Sequence, residues 1–381
     1  MADIIILKGQ GQYNALEYFA DNLNRAFQAE GTESMIFDLV KTNYSTEMLI
    51  NFMKKEKPKL FIGFNTNGFR MNGKLDYYKY FNASHLSILV DHPRYHLHGM
   101  DLLYKDVYIS CTDTERVLYL KNEVGFQNSF LLLHGVSKYI EPNYSDKCED
   151  IVFFGSIGDY EELRMSWKDK YSHEVNKLLD TALEIGIYNS FMSIDNIIDF
   201  SLKYYNIQIG DNEKSTIYQT LYIELEQYLR NFHRRKFLGS IKNSNVVVYG
   251  NGVWEKYFAN SKNVSIRHSV NMEEAIKIMR RSKMTLNCTT SLTYNGSHER
   301  PLMAAMAGSL VVSNYSPFFE LAFQDGALMT NFLDIDSLDE RVHEILNNDN
   351  LRIEMAQKAR TIVSENHTWN NRARQILEML D

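Results

Sequence analysis

The sequence predicts an α/β protein made of two facing, doubly wound parallel sheets, with a helical insertion in the second. Three observations predict it. Short apolar runs alternate with amphipathic stretches at helical spacing, the pattern of a parallel sheet layered with helices. The pattern stops at a polar, proline-containing stretch near 143–150 and restarts with Ile151-Val-Phe-Phe154-Gly155-Ser156. A long charged stretch over about 159–240, helical in pattern and poor in turn signals, then interrupts the second half. A length of 381 residues suits two such domains, placed at 1–147 and 148–381.

In the first half, strands are expected at 4–7, 34–39, 60–64, 86–90, 107–110 and 129–133. Leu16, Phe19, Ala20, Leu23 and Phe27 recur at helical spacing within 14–28, and Gly31 supplies a stop. A second helix over 48–54 ends before Pro58. In the second half, strands at 245–249, 264–267, 284–287 and 309–313, and a weaker one at 327–330, follow the run at 151. Pro301 suits the first turn of a helix that Gly308 ends. The final helix is expected to pack back on the first domain.

Composition narrows the function classes. The formal charge of −7 is not that of a general nucleic-acid binder. Cys111, Cys148 and Cys288 are scattered, with no CxxC, so neither a disulfide framework nor a thiolate zinc site is supported. A reducing, cytoplasmic setting is the expectation. No apolar run approaches the roughly 18 residues of a membrane span. Met-Ala-Asp followed by Ile4-Ile5-Ile6-Leu7 does not read as a signal peptide.

Ligands of open parallel sheets bind beyond the carboxyl ends of the strands, so chemistry is sought in the loops there. Gly9, Gly11 and Gln12 follow the first strand, and Asn65 follows the third. Asn14 stands where a dinucleotide fingerprint needs its third glycine, so a tight turn explains these glycines better; a turn lining an acceptor pocket is compatible with both. Asp91-His-Pro-Arg-Tyr-His-Leu-His98 is the densest polar cluster. His92 and His96 are four apart, as on a zinc-binding helix, but the third ligand and the water-activating glutamate are missing, so no metal is expected. Asp91 or His92 is a candidate base for an acceptor hydroxyl. Alternatively, Asp91 caps the helix that Pro93 begins. Asp334-Ile-Asp336 suits a helix start better than a metal site. His233-Arg234-Arg235-Lys236 reads as a solvated helix face, the alternative being a phosphate contact across the cleft.

The stretch 282–313 is the most informative. After a strand come the polar loop residues Tyr294, Asn295, Gly296 and Ser297, and then His298-Glu299-Arg300-Pro301 opening a helix. The free N–H groups of that helix turn favour a diphosphate, and His298 and Arg300 add charged donors. Glu299 suits sugar or ribose hydroxyls.

Together, Gly296-Ser-His-Glu-Arg300-Pro-Leu-Met-Ala-Ala-Met-Ala-Gly308, Val311-Val312-Ser313, His134-Gly135-Val136, Ile151–Ser156 and the tail His367-Thr-Trp-Asn-Asn-Arg372-Ala resemble glycosyltransferases of group 1 with two facing Rossmann-like domains, the GT-B fold. The branch they resemble most is the spore-maturation, CgeB-like one. The resemblance is good over about 240–381, patchy over 86–156 and absent over 160–235. It implies metal-independent transfer, without cofactor, of a sugar from a nucleotide-diphosphate donor, a UDP-sugar being favoured. The acceptor would be a glycan, a lipid-linked precursor or a protein, held mainly by the first domain. It implies that Arg300 and its helix hold the diphosphate, that Gly250, Asn251 and Gly252 lie beneath the nucleotide, and that His268 and Val270 lie near the base. One position departs from the family: Met303 stands where related enzymes often carry a glutamate that reaches the ribose or sugar. A sugar-nucleotide epimerase, and a degenerate transferase serving as a partner or scaffold, are the competing readings. The insertion suits oligomer or partner contacts.

Overall fold

The computed structural model describes residues 2–69, 77–100, 102–189, 192–289, 293 and 295–380. Six strands form the first parallel sheet: β1 (Ile4–Lys8), β2 (Ser34–Asp38), β3 (Leu60–Phe64), β4 (Ser84–Leu89), β5 (Val107–Cys111) and β6 (Ser129–Leu131). Their order is β2-β1-β3-β4-β5-β6. The second sheet contains β7 (Glu149–Phe154), β8 (Val246–Tyr249), β9 (Val264–Arg267), β10 (Ser282–Asn287), β11 (Leu310–Asn314) and β12 (Ala327–Thr330), in the order β12-β11-β10-β7-β8-β9. All the pairings are parallel. The near-continuous apolar character of these strands follows, because both faces of a parallel sheet are covered; every residue of β3 and β8 is buried.

The helices on the first sheet are α1 (Ala15–Ala29), α2 (Thr46–Glu56), α3 (Tyr77–Tyr80) and α4 (Thr114–Asn122). Then come α5 (Tyr160–Lys170), α6 (His173–Tyr188), α7 (Ile194–Tyr204) and α8 (Asp211–Gly239), which together fill the insertion between β7 and β8. The remaining helices are α9 (Trp254–Phe258), α10 (Met272–Arg281), α11 (Glu299–Met306), α12 (Pro317–Phe323), α13 (Leu338–Leu346), α14 (Asp349–Asn366) and α15 (Trp369–Leu380). The insertion has its own core, with Trp167, Leu179, Ala182, Ile198 and Leu225 almost fully buried. Ser172 and Ser193 cap α6 and α7, accepting from the amides of Val175 and Asn196. The insertion also leans on the first sheet: Arg94, after β4, donates to Asp195 of α7 at 2.6 Å.

Helix α15 packs on α1, where Trp369 meets Phe19 and Phe64 with ring centroids 5.5 and 5.8 Å apart. The His134-Gly135-Val136 loop receives it. Val136 exchanges backbone hydrogen bonds with His367 and Trp369 at 2.9 and 3.1 Å. A side chain at Gly135 would place its Cβ 2.7 Å from the Trp369 ring, which explains the glycine. Among the described residues, no helix is long and apolar enough to cross a membrane.

Candidate active site

Each sheet reverses its winding at one point, between β1 and β3 in the first and between β7 and β10 in the second. Such switch points leave a crevice beyond the carboxyl ends of the strands. Here the two crevices open into one cleft of about 940 Å³, lined by Gln12, Tyr13 and Asn65 on one side and by residues 155–158 and 297–300 on the other. The walls touch at the rim, where the Tyr13 hydroxyl and Ser156 Oγ are 2.8 Å apart. A second tie is the bridge between Asp113 and Gly296, reinforced by the Asn295 amide donating to Asp113 Oδ2 at 3.1 Å. A third is the His134 amide donating to Ser297 Oγ at 2.5 Å.

On the first wall, Asn65 adopts a positive φ of 53°, a conformation asparagine tolerates. Its Oδ1 accepts from the Val90 amide at 3.0 Å, and its Nδ2 donates to Asp91 Oδ2 at 2.9 Å. Asp91 is thereby held at the end of β4 with its side chain 60% exposed to the cleft and His96 Nε2 3.7 Å away. Desolvation pushes the Asp91 carboxyl up, but His96, Arg116 and the Asn65 hydrogen bond outweigh it and hold the pKa below the usual value.

His92 differs from expectation. It is His92, and not Asp91, that caps the short helix begun by Pro93, its Nδ1 accepting from the Arg94 amide at 3.2 Å. Its Nε2 points to Asp195 of the insertion at 3.7 Å, and its ring packs on Tyr222 at 4.4 Å. Burial, helped by Arg116 and Arg94, drives its pKa far down. Both ring nitrogens face protein groups, so of the two candidate bases only Asp91 presents a free oxygen lone pair to the cleft. Gly9 and Gly11 serve packing: a Cβ on Gly9 would lie 2.4 Å from the Asn67 side chain, and the Gly11 amide donates to Glu17 Oε2 at 3.0 Å. Gln12 does line the cleft.

On the second wall, His298 caps α11, and Glu299 and Arg300 occupy its first turn. Glu299 lies 2.9 Å from His298 Nδ1, 3.6 Å from His134 Nε2 and 3.7 Å from Arg300 Nε. Burial alone would raise its pKa; His298, His134 and Arg300 outweigh it and hold the carboxyl far below the ordinary range. Burial lowers His134 to about 4 and lowers His298 as well, so at neutral pH Glu299 is ionised and both imidazoles are neutral. Arg300 is committed more heavily than expected: one terminal nitrogen donates to the Phe154 carbonyl and the other meets His298 Nε2 at 2.9 Å. Glu299 is likewise spent on these neighbours.

Further positive charge comes from α8. Arg230 and Arg234 line the cleft together with Arg300 of α11 and Arg116 of α4. Arg234 is 8% exposed and donates to the Ser156 carbonyl at 2.7 Å. Burial and repulsion from Arg300 and Arg230 press its pKa down. The basic run at 233–236 is thus no solvated face: His233 is fully buried, Arg234 turns into the cleft, and Arg235 pairs with Glu161 at 2.9 Å. Asn231 anchors the helix, its Oδ1 accepting from the Gly158 amide at 2.9 Å.

The remaining expected residues divide. Gly250, Val270, Ser297 and the buried Met303 line the cleft. Asn251 lies at the rim, its Nδ2 3.5 Å from the Tyr13 hydroxyl. His268 is exposed and does not line the cleft. Tyr294 lies outside the described residues. Gly250 and Gly252 permit the 155–157 loop to cross them: a Cβ would fall 1.9 Å from the Gly155 oxygen and 1.8 Å from the Ile157 oxygen, and Gly252 has φ +95°. Gly250→Ala is therefore expected to cost about 1–3 kcal/mol by overpacking and to displace the 155–158 loop, measurable as a lower denaturation midpoint.

The fold places the chain in a class, that of GT-B proteins with two facing Rossmann-like units. It matches the sucrose-phosphate synthase of Thermosynechococcus elongatus with a TM-score of 0.55 at 10% identity, over 100% of this chain and 98% of that one. A glycosyltransferase of Rickettsia africae gives 0.55 at 10% identity, over 99% and 97%. Anabaena HepE in complex with UDP and glucose gives 0.53 at 8% identity, over 100% and 99%. The chain spans 57% of the length of TarM, with a TM-score of 0.48 and 12% identity. Within the sequence, residues 230–378 match the family described as glycosyl transferase-like. That segment begins on α8, at Arg230, and ends in α15. No curated protein matches the sequence.

Proposed function

We propose that the cleft transfers a sugar from a nucleotide-diphosphate donor to a hydroxyl of an acceptor, and that residues 148–381 form the donor side and 1–147 the acceptor side. The observation that carries this reading is the convergence of Arg230, Arg234 and Arg300 beside the N-terminus of α11, in a cleft where they and Arg116 outnumber the lining carboxylates Asp91, Glu226 and Glu299. Fixed positive charge and helix-terminal amides are what stabilise a departing diphosphate. The guanidinium groups supply the charge that a metal supplies in other transferases, so transfer without a metal ion is part of the proposal. The donor is read as a UDP-sugar, hexosyl or N-acetylhexosaminyl; HepE, of the same fold, is described in complex with UDP and glucose. The resemblance of the 296–313 and 367–373 stretches extends the proposal to the CgeB-like branch. Asp91 is the base on the acceptor side, for a glycan, lipid-linked or protein hydroxyl.

Calorimetric titration with UDP, GDP, UDP-glucose and UDP-N-acetylglucosamine, with magnesium and with a chelator, tests the reading. Binding of one nucleotide, unchanged by the chelator, is expected. Absence of binding by all four would return the weight to a degenerate scaffold, and binding that needs magnesium would remove the metal-free part.

A further inference from the structure

One buried carboxylate in the cleft is poorly supplied with hydrogen-bond donors. Glu226 of α8 is 2% exposed, yet its Oε1 has no hydrogen-bond partner. Its Oε2 receives only a long hydrogen bond, from the Tyr95 hydroxyl at 3.4 Å, and the Arg230 guanidinium is 3.4 Å from Oε1. A buried carboxylate so poorly provided with donors is costly, and such a group in a native protein calls for an explanation. Burial raises its pKa, as expected where donors are few.

Its place along the helix supplies the explanation. Glu226, Arg230 and Arg234 are four residues apart and share the face of α8 that lines the cleft. With a rise of about 1.5 Å per residue, Glu226 sits about 6 Å beyond Arg230 and about 12 Å beyond Arg234 along the helix axis. A sugar ring linked to a diphosphate at the two arginines extends over a comparable distance. Among the described residues, the other carboxylates lining the cleft are otherwise engaged: Glu299 is taken by His298 and His134, and Asp91 stands on the first wall, where it is read as the acceptor's base; Met303 is apolar.

We propose that Glu226 accepts hydroxyl hydrogen bonds from the sugar of the donor, so that α8 reads diphosphate and sugar with successive turns of one face. The proposal rests on the donor reading above. Sugar recognition then comes from the insertion, and Tyr95 holds the carboxylate in place.

The test compares wild type with Glu226→Gln and Tyr95→Phe by calorimetric titration with UDP, UDP-glucose and UDP-N-acetylglucosamine. For Glu226→Gln, UDP affinity is expected to stay within about twofold, while the affinity for at least one sugar nucleotide, relative to UDP, falls about tenfold or more. Tyr95→Phe is expected to shift the same ratio in the same direction by a smaller factor. An unchanged ratio in Glu226→Gln, with UDP still bound, overturns this proposal and leaves the donor reading standing. An equal loss of UDP and sugar-nucleotide affinity, together with a lower melting temperature, shows a structural role and also overturns it. Failure of the wild type to bind any of the three overturns the donor reading for uridine nucleotides and this proposal with it.

Discussion

Replacing Arg234 by glutamine is expected to weaken UDP binding and lower kcat/KM by about 10²- to 10³-fold while leaving the unliganded protein at least as stable as wild type. The two halves of this result have one cause. Arg234 is buried beside Arg300 and Arg230, with a single neutral acceptor, the Ser156 carbonyl, at 2.7 Å. Arg300 and Arg230 repel its charge; a bound diphosphate would neutralise it. Glutamine keeps a donor for Ser156 and removes the repulsion. The measurement is the melting temperature with and without UDP, together with turnover. Wild type is expected to gain stability from UDP by mass action and the variant to gain almost none. A marked loss of stability without ligand would mean that Arg234 supports the fold and not the donor.

Arg300 makes a poorer probe of the same site. It holds the Phe154 carbonyl, touches His298 and faces Glu299 at 3.7 Å. Arg300→Ala would leave the buried Glu299 carboxylate short of a cation, and breaking a buried pair in this way costs about 3–5 kcal/mol. Lost activity would then have two explanations, which the Arg234 variant separates.

The contrast between these arginines shows what the sequence makes legible. All twelve strands of the two sheets correspond to apolar runs that can be picked out by eye, since a strand buried on both faces has little choice of composition. Arg300 is equally legible, because Pro301 and Gly308 bracket its helix and the strand before it ends in polar residues. Arg234 is not. It sits in a helix of 29 residues carrying charge on several faces, and no local signal tells which face is covered. That is decided by Asn231 meeting Gly158 and by the insertion docking on Arg94, contacts across 73 and 101 residues of chain. The same holds for His92, whose ring nitrogens are claimed by Arg94 and Asp195, the second of them in the insertion. The glycines at 250 and 252 are conspicuous in sequence, but their reason, the crossing of the 155–157 loop, is visible only in the fold.

Asp91→Asn is expected to leave UDP affinity within about twofold of wild type and to lower the transfer rate by about 10²- to 10⁴-fold, the range that a positioned general base supplies. Asparagine preserves the shape and an acceptor for the Asn65 amide, so the loop after β4 is expected to hold its place. What is lost is the charged oxygen able to take the acceptor's proton. The pH dependence adds a second, independent reading. The folded-state pKa of Asp91 lies below the ordinary aspartate value of 3.8, because His96, Arg116 and Asn65 outweigh desolvation. The carboxylate is therefore the form present throughout the range above about pH 4, and the acid limb of kcat/KM for the wild type is expected to fall below that pH. The sign for stability is the same: the contribution of Asp91 is fully present above its unfolded pKa and is lost as pH falls through the lower, folded value. An acid limb near pH 6 would point to an imidazole and away from Asp91. Burial lowers the pKa of all three imidazoles that line the cleft, His92, His134 and His298; it takes His92 far down and His134 to about 4, so neither of these two supplies such a limb without a change in its surroundings. An Asp91→Asn variant with undiminished transfer would remove the base from the mechanism altogether and leave the arginine cluster and the N-terminus of α11 to carry the rate.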